Sequence, residues 1–287
     1  MRMEMERLSS VPLPAEACCW PIVQRDSGLI SALLLDHVRD RAALSLWQQD
    51  PLQAVPTGVG GQDAPFRPEI AELLATITLA QAGWADAGPD ASPMRADLPA
   101  EVMAELVWTA GAMLVDALVT GGNVPAPQAI AIVERAGAAV LAGHDEQTMP
   151  FAIAALLAHR ARALGLDEAG LLRLARERHI LPLLALIADR TGIELLTLVR
   201  AAVEENECVL FILSRAAEFP REVTVRLVLG RRCVVRGVDD SMLVQFADGY
   251  ADMSVEAARK AVATLRLPEP FRVRLSPIHR RINLDDG

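Results

Sequence analysis

The chain has 287 residues, with 28 Lys+Arg against 37 Asp+Glu and a formal net charge of −9. That balance excludes attraction of the whole surface to nucleic acid or an anionic membrane. Hydrophobic residues make up 52% and aromatics only 4%, and the Ala, Leu and Arg excess favours an all-α protein built on Ala/Leu seams.

Residues 1–26 read as an extended lead-in punctuated by Pro12, Pro14 and Pro21. A first helix follows from Ser27 or Gly28 to Gln49, with Leu29, Leu33, Val38 and Leu46 on its apolar side, and Asp50-Pro51 halts it. Pro56 to Pro68 is a Gly/Pro-rich loop. Its Gly58-Val59-Gly60-Gly61 lacks the Lys-Ser/Thr and the preceding strand that a phosphate cradle needs. Pro68 to Gln81 is helical, with Ile70, Leu73, Leu74 and Ile77 at helical spacing. These elements make an N-terminal region, 27–97, closed by a second turn-rich break from Gly83 to Pro93.

A main helical array is expected over 98–267. Asp97 is placed to cap a helix that carries Pro99 and Glu101 in its first turn and runs to Val119 before Gly121. Pro125 or Pro127 opens the next, through Leu141, stopped by Gly143. Another begins at Thr148-Met149-Pro150 and ends at Gly165, and Asp167 caps Glu168 to Arg178. Loops of 2–6 residues between such helices suit antiparallel hairpins, an irregular stack of the HEAT/armadillo kind or a bundle. No residue pattern repeats at a fixed period, so a regular solenoid is not indicated.

The stretch from Ile180 to Ser214 anchors the chain. Pro182 inside one long helix would cost about 3 kcal/mol, so a restart at His179 or Ile180 is expected, with Pro182 in the first turn. Ile193 to Val203 and Cys208 to Leu213 follow, with corners at Thr191-Gly192 and Glu204-Glu205-Asn206-Glu207. Each segment is too apolar to stand alone. Pro220 to Val238 carries both strand-like and helix-like spacing; Pro220 as opener and Gly230 as stop favour helix, with Arg232 to Arg236 extended. Asp239-Asp240-Ser241 starts a helix to Ala247, Ser254 caps Val255 to Leu265, and 268–287 is a proline-bearing tail.

Chemistry is sparse. The five histidines, His37, His144, His159, His179 and His279, show no i, i+4 pair and no H-E-x-x-H. His159 and His179 are assigned to helix ends, where imidazolium suits the carbonyl terminus. Cys18, Cys19, Cys208 and Cys233 form no zinc spacing; Cys208 and Cys233, in apolar runs, are expected as small buried hydrophobes, and a reducing cytoplasm is the natural compartment. Glu204, Glu205 and Glu207 lack the calcium-loop pattern. No nucleophile signature occurs, and Ser10, Ser27, Ser31 and Ser45 read as caps or surface positions. Neither a cofactor nor catalysis is expected. The start carries acids and no apolar signal core, and the longest apolar runs fall short of the roughly 18 residues a membrane span needs.

The arginines are unevenly placed. Arg215 to Arg281 holds about 13 basic against about 8 acidic residues. Glu218 and Glu222 interrupt that stripe, Phe211 and Phe219 belong to apolar faces, and Tyr250 stands alone, which argues against a nucleic-acid reader. The surfaces carrying Arg173 and Arg176, and Arg215, Arg221 and Arg226, are the candidate sites for an acidic protein partner.

The segment Leu195-Leu196-Thr197-Leu198-Val199-Arg200-Ala201-Ala202-Val203, continued by Phe211-Ile212-Leu213-Ser214-Arg215-Ala216-Ala217-Glu218-Phe219-Pro220-Arg221-Glu222-Val223, resembles the bacterial domain-of-unknown-function family 2336. Ala247-Asp248-Gly249-Tyr250 to Ala263 resembles that family's closing helices more loosely. The resemblance covers about a third of the chain and departs upstream, at the two Gly/Pro loops. It implies a helical-repeat-like fold with no assigned chemistry. The expectation is a cytoplasmic, non-catalytic interaction or regulatory module. Two alternatives stand beside it: a small-molecule sensor or enzyme with a pocket near Trp84, Trp108 and Met103 to Met113, and nucleic-acid binding by the basic C-terminal third. A mean hydropathy of +0.26 is compatible with a self-interface that hides apolar surface.

Overall fold

Helix ends leave backbone groups without partners, and the way this sequence closes them sets its architecture. The computed structural model describes residues 30–49, 66–82, 98–121, 124–203, 207–231, 240–268, 270–272 and 274–275. Among these every regular element is helical: α1 (Ala32–Gln49), α2 (Pro68–Ala82), α3 (Ala100–Thr120), α4 (Ala126–Ala142), α5 (Pro150–Leu164), α6 (Glu168–Arg176), α7 (Ile180–Thr191), α8 (Leu195–Val203), α9 (Glu207–Ala216), α10 (Arg221–Gly230), α11 (Asp240–Gly249) and α12 (Val255–Ala261). The protein is all-α, and the ambiguous segment after Pro220 is a helix, with Pro220 as its N-cap.

Two compact units partition the chain, Met1–Arg39 with Asp90–Met149 and Asp40–Pro89 with Pro150–Gly287. In the first, α3 and α4 form a hairpin that buries Leu114, Leu118, Val133 and Ala136. Close approach depends on small residues: a Cβ at Gly137 would lie 2.7 Å from the Trp108 ring, and one at Gly111 would lie 2.9 Å from Val133. Asp97 lies outside the described residues and the N-cap of α3 is Pro99, which supplies no side-chain bond. Glu146, from the short 3-10 turn Glu146–Thr148, instead accepts the Ala100 N–H.

The second unit is built around α7. Ile180 to Ala188 are all buried, and α5, α6, α8 and α9 pack against them. The restart forced by Pro182 is observed, with His179 as N-cap and Pro182 in the first turn. Helix α2 packs on α5, α10 on α6 and α9, and α12 on α9. Arg272, in the tail, donates to Thr197 Oγ1 at 3.2 Å, which lays the chain on α8 at that point.

One cap recurs four times. Leu166 N–H reaches Ala161 O at 2.9 Å, His179 reaches Leu174 O at 2.9 Å, Ile193 reaches Ala188 O at 3.2 Å, and Phe219 reaches Ser214 O at 2.9 Å. Each six-residue closure needs a left-handed residue just before the donor. Those residues are Gly165 (φ 68°), Arg178 (φ 61°), Gly192 (φ 69°) and Glu218 (φ 56°). The donor position normally carries an apolar side chain that folds back on the helix. Leu166, Ile193 and Phe219 obey, and His179 is the exception.

Two sequence assignments need correction. Helix α1 begins at Ala32, because the Ser31 hydroxyl accepts the Leu34 N–H at 3.1 Å and caps it there. Its inner face is Leu34, His37, Asp40, Leu44 and Trp47, whereas Val38 and Leu46 are 54% and 53% exposed. A face chosen by hydrophobicity alone missed one that buries polar groups. The Gly58 to Gly61 loop, the Glu204 to Asn206 corner, Arg232 to Arg236, Trp84, Cys18, Cys19, Cys233 and His279 lie outside the described residues.

A Cβ at Gly192 would meet nothing within 4 Å, so Gly192→Ala isolates the left-handed backbone cost and is expected to lower stability by about 1 kcal/mol. Arg178→Gly is expected to raise it by about 0.5–1 kcal/mol. Urea unfolding reads both as midpoint shifts at constant slope.

Candidate functional site

Leu171 and Leu174 fix the inner face of α6, so Arg173 and Arg176, three residues apart, stand one turn apart on its flank. Arg173 Nε donates to Glu177 Oε1 at 2.7 Å, and its guanidinium lies 4.2 Å from the Phe66 ring centroid. On α10, Val223, Leu227 and Val228 are buried, which leaves Glu222 and Arg226 outward. Arg226 Nη2 donates to Glu222 Oε1 at 3.2 Å, and Arg176 Nη2 approaches the same oxygen at 4.0 Å. The packed pair α6–α10 therefore brings Arg173, Arg176 and Arg226 to one face around Glu177 and Glu222. The Arg176 and Arg226 side chains are 47% and 31% exposed. Arg178 follows in the α6–α7 turn; its Nη2 and the Nε of Arg226 are shielded from solvent and meet no acceptor.

Arg215 and Arg221 are used differently. Arg215 Nε donates to Met253 O at 2.6 Å and its guanidinium sits 5.5 Å from the Tyr250 ring. Arg221 donates to Ala247 O and to Asp248 Oδ1, both at 2.7 Å. Arg190 and Arg259 repeat the device on Ala217 O and Ala216 O. Arg190, Arg221 and Arg259 satisfy carbonyls left over at helix C-termini, where a cation also suits the helix dipole, whereas Arg215 holds a carbonyl in the turn before α12. Much of the arginine crowding after residue 214 thus braces helix ends across the fold.

Tyr250 does not stand alone. Its hydroxyl donates to Phe219 O at 2.7 Å and lies 3.1 Å from Thr224 Oγ1, and its ring sits 6.3 Å from that of Phe211. Burial pushes its phenol up, which keeps the hydroxyl a donor at neutral pH.

His179 stands between two helices, its N–H closing the carbonyl end of α6 on Leu174 O while it is the N-cap of α7, and burial pushes its imidazole below the usual value despite Glu177 at 3.3 Å. His159 is exposed within the last two turns of α5. His37 is buried on α1, and His144 Nε2 lies 2.8 Å from Leu98 O. No group of three potential metal ligands occurs among the described residues.

A feature with no sequence signal is the buried pair of Asp40 Oδ2 and Arg200 Nε, 3.0 Å apart, joining α1 to α8 across 160 residues of chain. Asp40 in a helix interior reads as a solvated residue until α8 is placed over it.

The sequence matches the family described as "Uncharacterised protein conserved in bacteria (DUF2336)" over residues 80–263. The chain belongs to this family. Neither a curated protein nor a solved structure matches it. The DUF2336 region is wider than the resemblance around α8–α10: it takes in everything from α3 to α12, including the break from Gly83 to Pro93. Both helices of the arginine face lie inside it, as does Arg200, whereas Asp40 lies outside.

In the first unit an open depression of about 520 Å³ is lined by Ala100, Ala104, Leu141, His144, Asp145, Glu146 and Gln147. Of the Met103 to Met113 segment only Ala104 lines it; Trp108 is 44% exposed and packs over Gly137. Helix α3, 21 residues with a window hydropathy of 1.7 and 39% of that window buried, is long and apolar enough to cross a membrane by length and composition. Its uninterrupted apolar stretches stay shorter than that, broken by Glu101, Glu105 and Asp116, and the core helix of a soluble protein meets the same criterion.

The folded chain binds a proton at His179 less readily than the unfolded chain does. The stability this group contributes is complete above the unfolded value of 6.5 and is lost as pH falls through it toward the depressed folded value. The melting temperature should fall between pH 7 and pH 5, and His179→Gln should flatten part of that fall. Asp40→Ala takes this carboxylate from the buried Arg200 guanidinium and should cost about 3–5 kcal/mol, while Asp40→Leu with Arg200→Met should recover most of it in urea titrations.

Proposed function

We propose that the chain is a non-catalytic, cytoplasmic interaction module that binds a protein partner through its second unit. The observation that carries this reading is the α6–α10 face: Arg173, Arg176 and Arg226 stand on helices packed against one another, with Arg176 and Arg226 partly open to solvent. Guanidiniums on rigid elements lose little freedom when they meet a partner, which is what a recognition surface requires. Arg215 and Arg221 hold backbone carbonyls of Met253 and Ala247 and tie α9 and α10 to the segments that follow them. The acids on α3 and the overall acidic charge support a water-exposed rather than membrane-embedded chain.

The depression near His144 supports a second, weaker reading as a small-molecule sensor. Its polar groups are already engaged, Glu146 with the Ala100 N–H and His144 with Leu98 O, which leaves few free to orient a ligand.

Affinity capture from a bacterial lysate, followed by rebinding of the purified pair in calorimetry, tests the proposal. A protein that rebinds at one-to-one stoichiometry is the expected result. No rebinding protein, together with a metabolite that raises the melting temperature by several degrees, would overturn it in favour of the sensor.

A further inference from the structure

We propose that the α6–α7 joint is a proton-operated hinge: neutral His179 holds α6 on α7, and its protonation lets α6 open in a local step. This goes beyond the partner-binding reading and does not depend on it. Four joints of the second unit close with the same six-residue cap, so three of them serve as references for the fourth. At the references, the residue that closes one helix and the residue that starts the next are separate. Leu166, Ile193 and Phe219 close a helix, and the neighbouring Asp167, Glu194 and Pro220 accept from Leu171, Leu198 and Thr224 to open another. At α6–α7 both duties fall on one residue. His179 N–H reaches Leu174 O at 2.9 Å, and His179 O accepts the Leu183 N–H at 3.0 Å.

The side chain at this joint differs as well. Ile193 and Phe219 are buried, and Leu166 is packed against the core; none of the three has a charge to gain. His179 is the one of the four that takes up a proton near neutral pH. Its side chain is 20% exposed, so the ring already borders solvent. The backbone beside it is strained: Arg178 is held at φ 61°, as Glu218 is at φ 56°, whereas glycine fills the position in the other two caps. A joint with no spacer residue, a titratable side chain and a strained neighbour is the one most readily opened by a change of charge.

The charged groups around His179 set the sign. Glu177 Oε2 lies 3.3 Å from its Nε2 and attracts an imidazolium, whereas Arg173 repels it. Glu177 also accepts from Arg173 Nε at 2.7 Å. Helix α7 carries nothing titratable before Asp189. From α10, packed on α6, Glu222 is engaged by Arg176 and Arg226. Glu177 and the carbonyl end of α6 thus favour the proton in the closed joint, while burial, Arg173 and the amino end of α7 oppose it. Opposition prevails, and burial is its largest part. An open joint returns the ring to water, so proton uptake favours opening. The joint is fully held above the ordinary value of 6.5 and loosens as pH falls through it.

The test is amide hydrogen exchange on the full chain at pH 7.5 and pH 5.0, with rates corrected for the intrinsic pH dependence of exchange and repeated in low concentrations of urea. The Glu177 and His179 amides, bonded to Arg173 O and Leu174 O in the closed joint, should be protected at pH 7.5. They should lose at least about three-fold in protection by pH 5.0. At both pH values their exchange should depend on urea more weakly than that of Leu183 to Thr191, which marks a local opening that leaves α7 folded. His179→Leu, which gives this cap the residue type found at Leu166, should remove the pH-dependent loss at Glu177, and so should the milder His179→Gln. Three results would overturn the proposal. They are an unprotected joint at pH 7.5, protection unchanged or a loss that survives in both variants, and exchange with the full urea dependence of global unfolding.

Discussion

Nine consecutive residues of α7, Ile180 to Ala188, are buried, and a helix apolar on every side exists only inside a shell of other helices. That single constraint organises the second unit. Helices α5, α6, α8 and α9 supply the shell, and the turns on both sides of α7 close with the same left-handed cap. Leucines such as Leu181, Leu183 and Leu184 are wholly enclosed, and truncating any one to alanine removes about 2–5 kcal/mol in comparable cores. Against a typical total of about 5–15 kcal/mol, this helix decides whether the unit folds at all.

Enclosing α7 fixes what its neighbours can offer outward. Helix α6 packs on α7 and on α10, and at the edge of its contact with α10 Arg176 comes within 4.0 Å of Glu222, which Arg226 also holds. The arginines of this chain do two kinds of work. Where a helix ends against another element, as at Ala216, Ala217 and Ala247, a guanidinium takes the leftover carbonyl. Where two helix flanks run side by side, the guanidiniums stay at the surface. Charge counted along the sequence merges these roles, and only the packing separates them.

Much of the architecture was legible. The strong punctuation at Pro182, Gly165, Gly192, Pro220 and Gly230 acts through local backbone physics, so those boundaries followed from residue identity. The recurrence of one cap was not legible, because the left-handed position is filled in turn by Gly, Arg, Gly and Glu; two of four carry no glycine signal. The inner face of α1 escaped for a different reason. His37 and Asp40 are buried there, and a rule that sorts polar residues outward inverts such a face. Of the candidate site, Arg173, Arg176 and Arg226 could be singled out along the sequence, but their grouping depended on the α6–α10 contact, which joins segments some 50 residues apart and has no local sequence signature.

The most direct test of the α7-centred account is native-state hydrogen exchange across the second unit. Amides from Leu183 to Thr191 should exchange only through global unfolding, with the same free energy and denaturant dependence as the whole transition, while α12 opens earlier. Exchange of the α7 amides through a cheaper local opening, at or below the free energy of α12, would contradict the account.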